Sequence, residues 1–138
     1  MSRPVRVTPA VLKELVAEAR LEPGFECCGL LAGRAGVITA VLSAQNVLAS
    51  PTAFDIAPAE LFQLFQRMRQ QGLDHLGIYH SHPTGDNAPS RRDIASAYYP
   101  EAAYFILSPG TGADRPVRAF SIRDGLAEEL QIEILDGS

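Results

Sequence analysis

The run Cys27-Cys28-Gly29-Leu30-Leu31-Ala32 constrains this chain more than any other stretch, because it holds no charged side chain on either alternating face. A short run of this kind is suited to a strand buried on both sides. Such a strand needs sheet neighbours along its edges and helices over its faces. The rest of the chain supplies both. Thr8-Pro9 gives an N-cap and a proline at the first helical position, and Leu12, Leu15, Val16 and Ala19 recur at helical spacing to about Arg20. Pro23-Gly24 breaks that helix. A second helix is predicted from about Pro58, with Leu61, Leu64, Phe65 and Met68 as its apolar stripe and Gly72 as its stop. Ser90 opens a third that runs to about Tyr98 and ends at Pro100.

Between these helices the pattern predicts strands at Arg3 to Val7, Val37 to Val47, His75 to His80, Ala103 to Leu107, Val117 to Arg123 and Leu130 to Leu135. Gly33 to Gly36 reads as a turn, Phe54 to Ile56 as one further brief strand, and Asp124-Gly125 as the hairpin turn before the last strand. Strands and helices alternate, so the fold class is α/β, a mixed β-sheet flanked by helices. At 138 residues, with no repeat or linker, residues 1–138 are expected to form a single domain.

Charge narrows the partners. Twelve basic and 16 acidic side chains give a net charge of −4. The only local basic groupings, Arg67 with Arg69 and Arg91 with Arg92, are too small for a phosphate track, so no nucleic-acid partner is expected. Arg6, Lys13 and Glu14 interrupt the apolar core a signal peptide needs, and no stretch reaches the roughly 20 apolar residues of a membrane span. No membrane association and a cytoplasmic location follow as expectations. Cys27 and Cys28, adjacent and therefore poorly placed to pair with each other, agree with a reducing compartment.

The chemistry is concentrated in His80-Ser-His-Pro-Thr-Gly-Asp-Asn-Ala-Pro-Ser-Arg-Arg-Asp93. His80 and His82 end a strand and point to one side of it, about 7 Å apart along the backbone. Asp93, one turn inside the next helix, can return a carboxylate to the same point. Two imidazoles and one carboxylate leave a fourth tetrahedral position open, which is the ligand count of a catalytic zinc. An H-x-H pair alone is more often structural, and Ser90 with Asp93 also reads as a capping box. A capped helix can still present Asp93 to a metal. Cys27 and Cys28 read as buried core thiols, Gly85-Asp86-Asn87 as a turn, and His75 as structural.

The pattern His80-x-His82-Pro83, seven residues to Ser90, then Ser-x-x-Asp93, resembles the JAMM (MPN+) metallopeptidase motif at every position. Glu26 in Glu-Cys-Cys-Gly-Leu-Leu-Ala-Gly resembles that family's upstream glutamate. The resemblance implies a curved sheet of JAMM/MPN (cytidine-deaminase-like) architecture and one Zn2+ per chain, on His80, His82 and Asp93. It also implies Glu26 as general base and Ser90 as oxyanion donor. JAMM enzymes cleave the amide formed by the C-terminal glycine of ubiquitin or a ubiquitin-like protein. The short chain, the Cys-Gly-Leu-Leu-Ala-Gly stretch and Gln45-Asn46-Val47 resemble minimal prokaryotic members that act on ubiquitin-like sulfur-carrier proteins ending in Gly-Gly. The segment around Phe54 to Ile56 is the candidate edge for such a tail. Two alternatives stand beside this reading. The loop also resembles RadC-type, DNA-repair-associated proteins, although Ser81 stands where those usually carry asparagine. A metal-free MPN scaffold is the other, and it would lack the ligands that are present here.

Overall fold

The computed structural model describes residues 3–84, 86–109 and 115–135. Its elements follow in the order β1 (Val5–Val7), α1 (Pro9–Leu21), β2 (Cys28–Arg34), β3 (Val37–Ala44), α2 (Pro58–Gln71), β4 (Asp74–Ser81), α3 (Arg91–Ala95), β5 (Ala103–Leu107), β6 (Val117–Arg123), β7 (Leu126–Leu130) and β8 (Ile132–Ile134). Among the described residues the strands join one sheet in the order β7-β6-β5-β4-β2-β3-β1-β8. The β4–β5, β1–β3 and β1–β8 pairs are parallel and the others antiparallel, so the sheet is mixed as expected.

β2 lies between β3 and β4 and is buried from Cys28 to Gly33. Its alternation feeds two cores. Cys27 and Leu31 pack with Val11 and Leu15 of α1, Tyr79 and Phe105, whereas Cys28, Leu30 and Ala32 pack with Leu64 and Met68 of α2, Ile78 and Ile106. Gly29 is the close approach in this strand. A Cβ there would press on the Leu42 carbonyl oxygen and sit 2.6 Å from the Tyr79 hydroxyl. That hydroxyl donates to both oxygens of Glu18 at 2.8 and 2.9 Å, anchoring the middle of β4 to α1.

Several predicted boundaries shift, each for a local reason. β2 runs on through Arg34, and the turn narrows to Ala35-Gly36, both with positive φ (53° and 76°). β3 stops at Ala44 rather than Val47, because the Asn46 side chain takes over the hydrogen bonding of the chain beyond it. Phe54 to Ile56 is not a strand: the Asp55 N–H is capped by Asn46 Oδ1 at 3.2 Å and its carbonyl receives Val47 N at 3.0 Å, a single pair with no ladder. α3 ends at Ala95, well before Tyr98, and Tyr99 N donates to the Tyr104 hydroxyl at 2.8 Å instead of to a helical carbonyl. The strand expected at Leu130 to Leu135 is two. Val5 N takes the Gln131 carbonyl at 2.9 Å, and the chain changes partner there from β6 to β1. Asp124-Gly125 is the predicted hairpin turn, at φ of 53° and 76°. Gly85, the first residue of the predicted Gly85-Asp86-Asn87 turn, lies outside the described residues.

Candidate metal centre

β4 delivers the histidines. His80 pairs with Cys28 of β2 and Ile106 of β5 and is 3% exposed. Past a register shift against β2, where Leu31 pairs with Gly77 and Ala32 with His75, Ile78 packs on the α2 side, so His80 two residues on shares its face while Ser81 points to the other. His82 follows the end of the strand, its N–H held by the Leu107 carbonyl at 2.8 Å. The backbone thus returns both rings to one side, as the sequence predicts.

Asp93 arrives from α3, whose start is fixed by a capping box: Asp93 N donates to Ser90 Oγ at 3.1 Å, and Ser90 N donates to Asp93 Oδ2 at 2.9 Å. From that position Asp93 Oδ1 lies 3.1 Å from His80 Nε2 and Oδ2 lies 3.0 Å from His82 Nε2. The two Nε2 atoms are 3.1 Å apart. His82 Nδ1 faces the Asp86 carbonyl at 2.8 Å. A carbonyl only accepts, so Nδ1 carries the proton, and in neutral His82 the lone pair sits on Nε2.

Two imidazole nitrogens and a carboxylate converge within 4.8 Å, and between them they offer lone pairs with few protons to place there. That donor set fits a small divalent cation, and its composition is that of an open catalytic zinc site. Burial works against charge on Asp93, yet the hydrogen bonds from His80 and His82 hold its carboxyl well below the usual carboxylate range. Burial also disfavours a charged His82, but the hydrogen bond with Asp93 outweighs it and the His82 pKa is raised. His80, more deeply buried, is pushed down by desolvation.

Glu26 immediately precedes the Cys27–Ser81 pair, in which Ser81 N donates to the Cys27 carbonyl at 3.0 Å and Cys27 N donates to Ser81 Oγ at 2.9 Å. Glu26 therefore stands beside the segment that carries the histidines. It is 3% exposed, and among the described residues its Oε1 has no hydrogen-bond partner. Burial pushes its carboxyl up to about 7, with the nearby charge of His82 pulling the other way. An unpaired buried carboxylate oxygen is costly in a purely structural role. A cavity of about 360 Å³ opens beside the cluster, lined by His80, Asp93, Phe54, Leu61, Tyr98 and Tyr99 among others.

Ser90 meets Asp93 through the cap. Cys27 and Cys28 are free, buried thiols, as expected, and neither joins the cluster. His75 sits edge-on between Phe65 and Tyr99, consistent with a structural role. Sequence reasoning missed three supporting residues. Phe54 stacks on His80, Ser81 locks Cys27, and Asn46 holds the Glu26 backbone. Ser81 was accessible from the alternation along β4. Phe54 and Asn46 were not, because both act through loop contacts.

Comparison with known proteins agrees with this geometry. Residues 8–123 match the family model Prok-JAB, prokaryotic homologues of the JAB domain. The chain is 38% identical over 91 residues to a desampylase of Haloferax volcanii, covering 64% of this chain and 66% of that protein. It is 28% identical over 128 residues to the CysO-cysteine peptidase of Mycobacterium tuberculosis, covering 91% and 88%. It is 37% identical over 130 residues to a probable TtuB-protein conjugate cleaving protease of Thermus thermophilus, covering 94% and 82%. The JAB1/MPN domain protein AF2198 of Archaeoglobus fulgidus superposes with a TM-score of 0.61 over 96% of this chain and 99% of that one; at 17% identity this likeness establishes the fold alone. With the family pattern running from α1 through β6 and the donor set of a zinc centre at the end of β4, the chain belongs to the prokaryotic JAB-domain family, the JAMM-type metallopeptidases.

Proposed function

We propose that this protein hydrolyses the amide bond after the C-terminal glycine of a ubiquitin-like or sulfur-carrier protein, with residues 1–138 acting as one peptidase domain. The observation that carries the reading is the convergence of His80, His82 and Asp93 beside the buried Glu26, whose Oε1 has no hydrogen-bond partner among the described residues. His80, His82 and Asp93 would hold a zinc ion, whose Lewis acidity would lower the pKa of a bound water towards neutrality. Glu26 is the general base and then the general acid: its carboxylate takes a proton from the attacking water and passes it to the leaving amine. In the metal-free site burial pushes the Glu26 carboxyl up to about 7. Ser90 Oγ accepts from Asp93 N, so the Ser90 O–H remains free to donate to the carbonyl oxygen as it gains charge. The Asp86 carbonyl keeps His82 in one tautomer.

The names of the three relatives support the substrate class, since each points to a conjugate or adduct of a small carrier protein. A tail ending in Gly-Gly places no side chain in the cavity of about 360 Å³ that lies beside the cluster. The net charge of −4 supports a protein rather than a nucleic-acid substrate. The cytoplasmic assignment is supported by the free Cys27 and Cys28. Among the described residues, no helix is long and apolar enough to cross a membrane.

The test is incubation of the zinc-loaded protein with a carrier ending in Gly-Gly that bears one added C-terminal cysteine, followed by intact mass measurement. Loss of the added residue by the wild type, absent with Glu26→Ala, is the expected result. A carrier left whole by zinc-loaded wild type, whether extended by cysteine or by a longer peptide, would remove the proposal.

A further inference from the structure

Glu26 presents a puzzle of placement. A general base has to be held to within a fraction of an ångström of its proton, and the usual device is a hydrogen bond to its side chain. Among the described residues Glu26 Oε1 has no hydrogen-bond partner. The restraint is in the main chain instead. Glu26 N donates to the Ser50 carbonyl at 2.9 Å, and the Glu26 carbonyl receives Asn46 Nδ2 at 2.9 Å. On its far side Cys27 is locked to Ser81, between the two histidines.

Asn46 is 5% exposed, and both ends of its amide are in use. Nδ2 donates to the Glu26 and Ala53 carbonyls at 2.9 and 3.0 Å, while Oδ1 accepts from Leu48 N and Asp55 N at 3.1 and 3.2 Å. Two acceptors on the nitrogen and two donors on the oxygen exhaust what one amide can offer, so its orientation is fixed. The two halves serve different ends. The oxygen folds the 46–55 segment on itself. The nitrogen ties that segment to the residue that carries the base, and the same segment supplies Leu48, Ala53, Phe54 and Asp55 to the wall of the cavity beside His80 and Asp93.

We infer that Asn46 is a positioning residue for the general base, holding the Glu26 backbone so that an otherwise unpartnered carboxylate faces the metal centre. The inference rests on the reading of Glu26 as the base. It makes a demand that simple structural support does not: the two ends of the amide should be separable by substitution.

Asn46→Asp is nearly isosteric. It keeps the oxygen that accepts from Leu48 and Asp55 and replaces only the nitrogen that binds Glu26 and Ala53. Assayed on the carrier bearing an added cysteine, Asn46→Asp is expected to lower kcat about 10- to 100-fold, with KM and bound zinc within about twofold of wild type. Combined with Glu26→Gln it should add no further loss, because two residues acting through one step are not additive. Should the aspartate fold poorly, Asn46→Ser, which leaves no charge behind but gives up both ends of the amide, is expected to lower kcat at least as far with zinc still bound. An unchanged kcat, a loss that tracks lost zinc, or a full additional loss on top of Glu26→Gln would each overturn the inference. Inactive zinc-loaded wild type would instead overturn the reading on which it stands.

Discussion

The ring of Phe54 lies stacked on the imidazole of His80, with centroids 4.7 Å apart and planes inclined by 22°. Phe54 comes from the loop before α2, so a residue far from the histidines in sequence fixes the plane of one of them. Phe54→Ala removes that support and opens the cavity wall to water. The expected result is zinc affinity lowered roughly tenfold, the low end for loss of a group that orients a ligand. Competition against a chromogenic chelator measures it. Phe54→Leu, which keeps the bulk, should lie between the alanine variant and wild type. Equal affinities for all three would show that the strand alone orients His80.

Glu26 carries a cost that metal-free protein reveals. Burial raises its carboxyl to about 7 from an ordinary 4.5, so the folded state holds the proton more tightly than the unfolded chain. Stability conferred by this group is therefore present below pH 4.5 and declines as pH rises to about 7, where the loss is complete. Glu26→Gln stays neutral throughout. Zinc-free Glu26→Gln should exceed wild type at pH 8 by as much as about 3 kcal/mol and match it near pH 4, while losing about 10²- to 10⁴-fold in turnover when zinc-loaded. Urea unfolding at the two pH values tests the first claim. Coincident curves at pH 8 would mean that the carboxylate is solvated.

Zinc binding should release protons. In the metal-free cluster Asp93 favours a charged His82, and a ligand nitrogen has to give up its proton before it can bind. Calorimetric titration in buffers of different ionisation enthalpy should register about one proton released per zinc near pH 6, and affinity should fall about tenfold per pH unit below the His82 pKa. Buffer-independent heats at pH 6 would contradict the protonated His82.

Gly29 tests the core rather than the site. Any side chain there meets the Leu42 carbonyl oxygen and the Tyr79 hydroxyl, and the first is main chain that cannot swing away. Gly29→Ala should destabilise the fold by roughly 3 kcal/mol or more, read as a shifted urea midpoint. A midpoint within experimental error of wild type would require β2 and β3 to separate at no cost.

Where sequence reading succeeded and where it failed follow from the range of the interactions. β2, α1 and β5 are set by the spacing of their own apolar residues, and the pattern alone places them within a residue or two. The His80–His82 pair was legible because strand alternation is local, and Asp93 because a capping box is. Glu26 carries no local mark at all; only its family resemblance singles it out, since its burial comes from loops distant in sequence. The failures share one cause. Asn46 ends β3 and prevents a strand at Phe54 to Ile56 by offering a side chain where a neighbouring strand would offer a backbone. The partner change at Gln131 depends on β1, more than a hundred residues earlier.

Position 93 has almost no freedom of ligand chemistry. Oδ1 serves His80, while Oδ2 serves both His82 and the N–H of Ser90. Histidine would bring one acceptor where three contacts need two, cysteine a sulfur that accepts hydrogen bonds weakly, and glutamate an extra methylene that overshoots the cap. A redesign toward softer metals cannot start by exchanging this residue for a thiolate without also rebuilding the first turn of α3. The less constrained entry points for new coordination chemistry are the cavity-facing neighbours, such as Ser96, which lines the same space and is tied to no ligand.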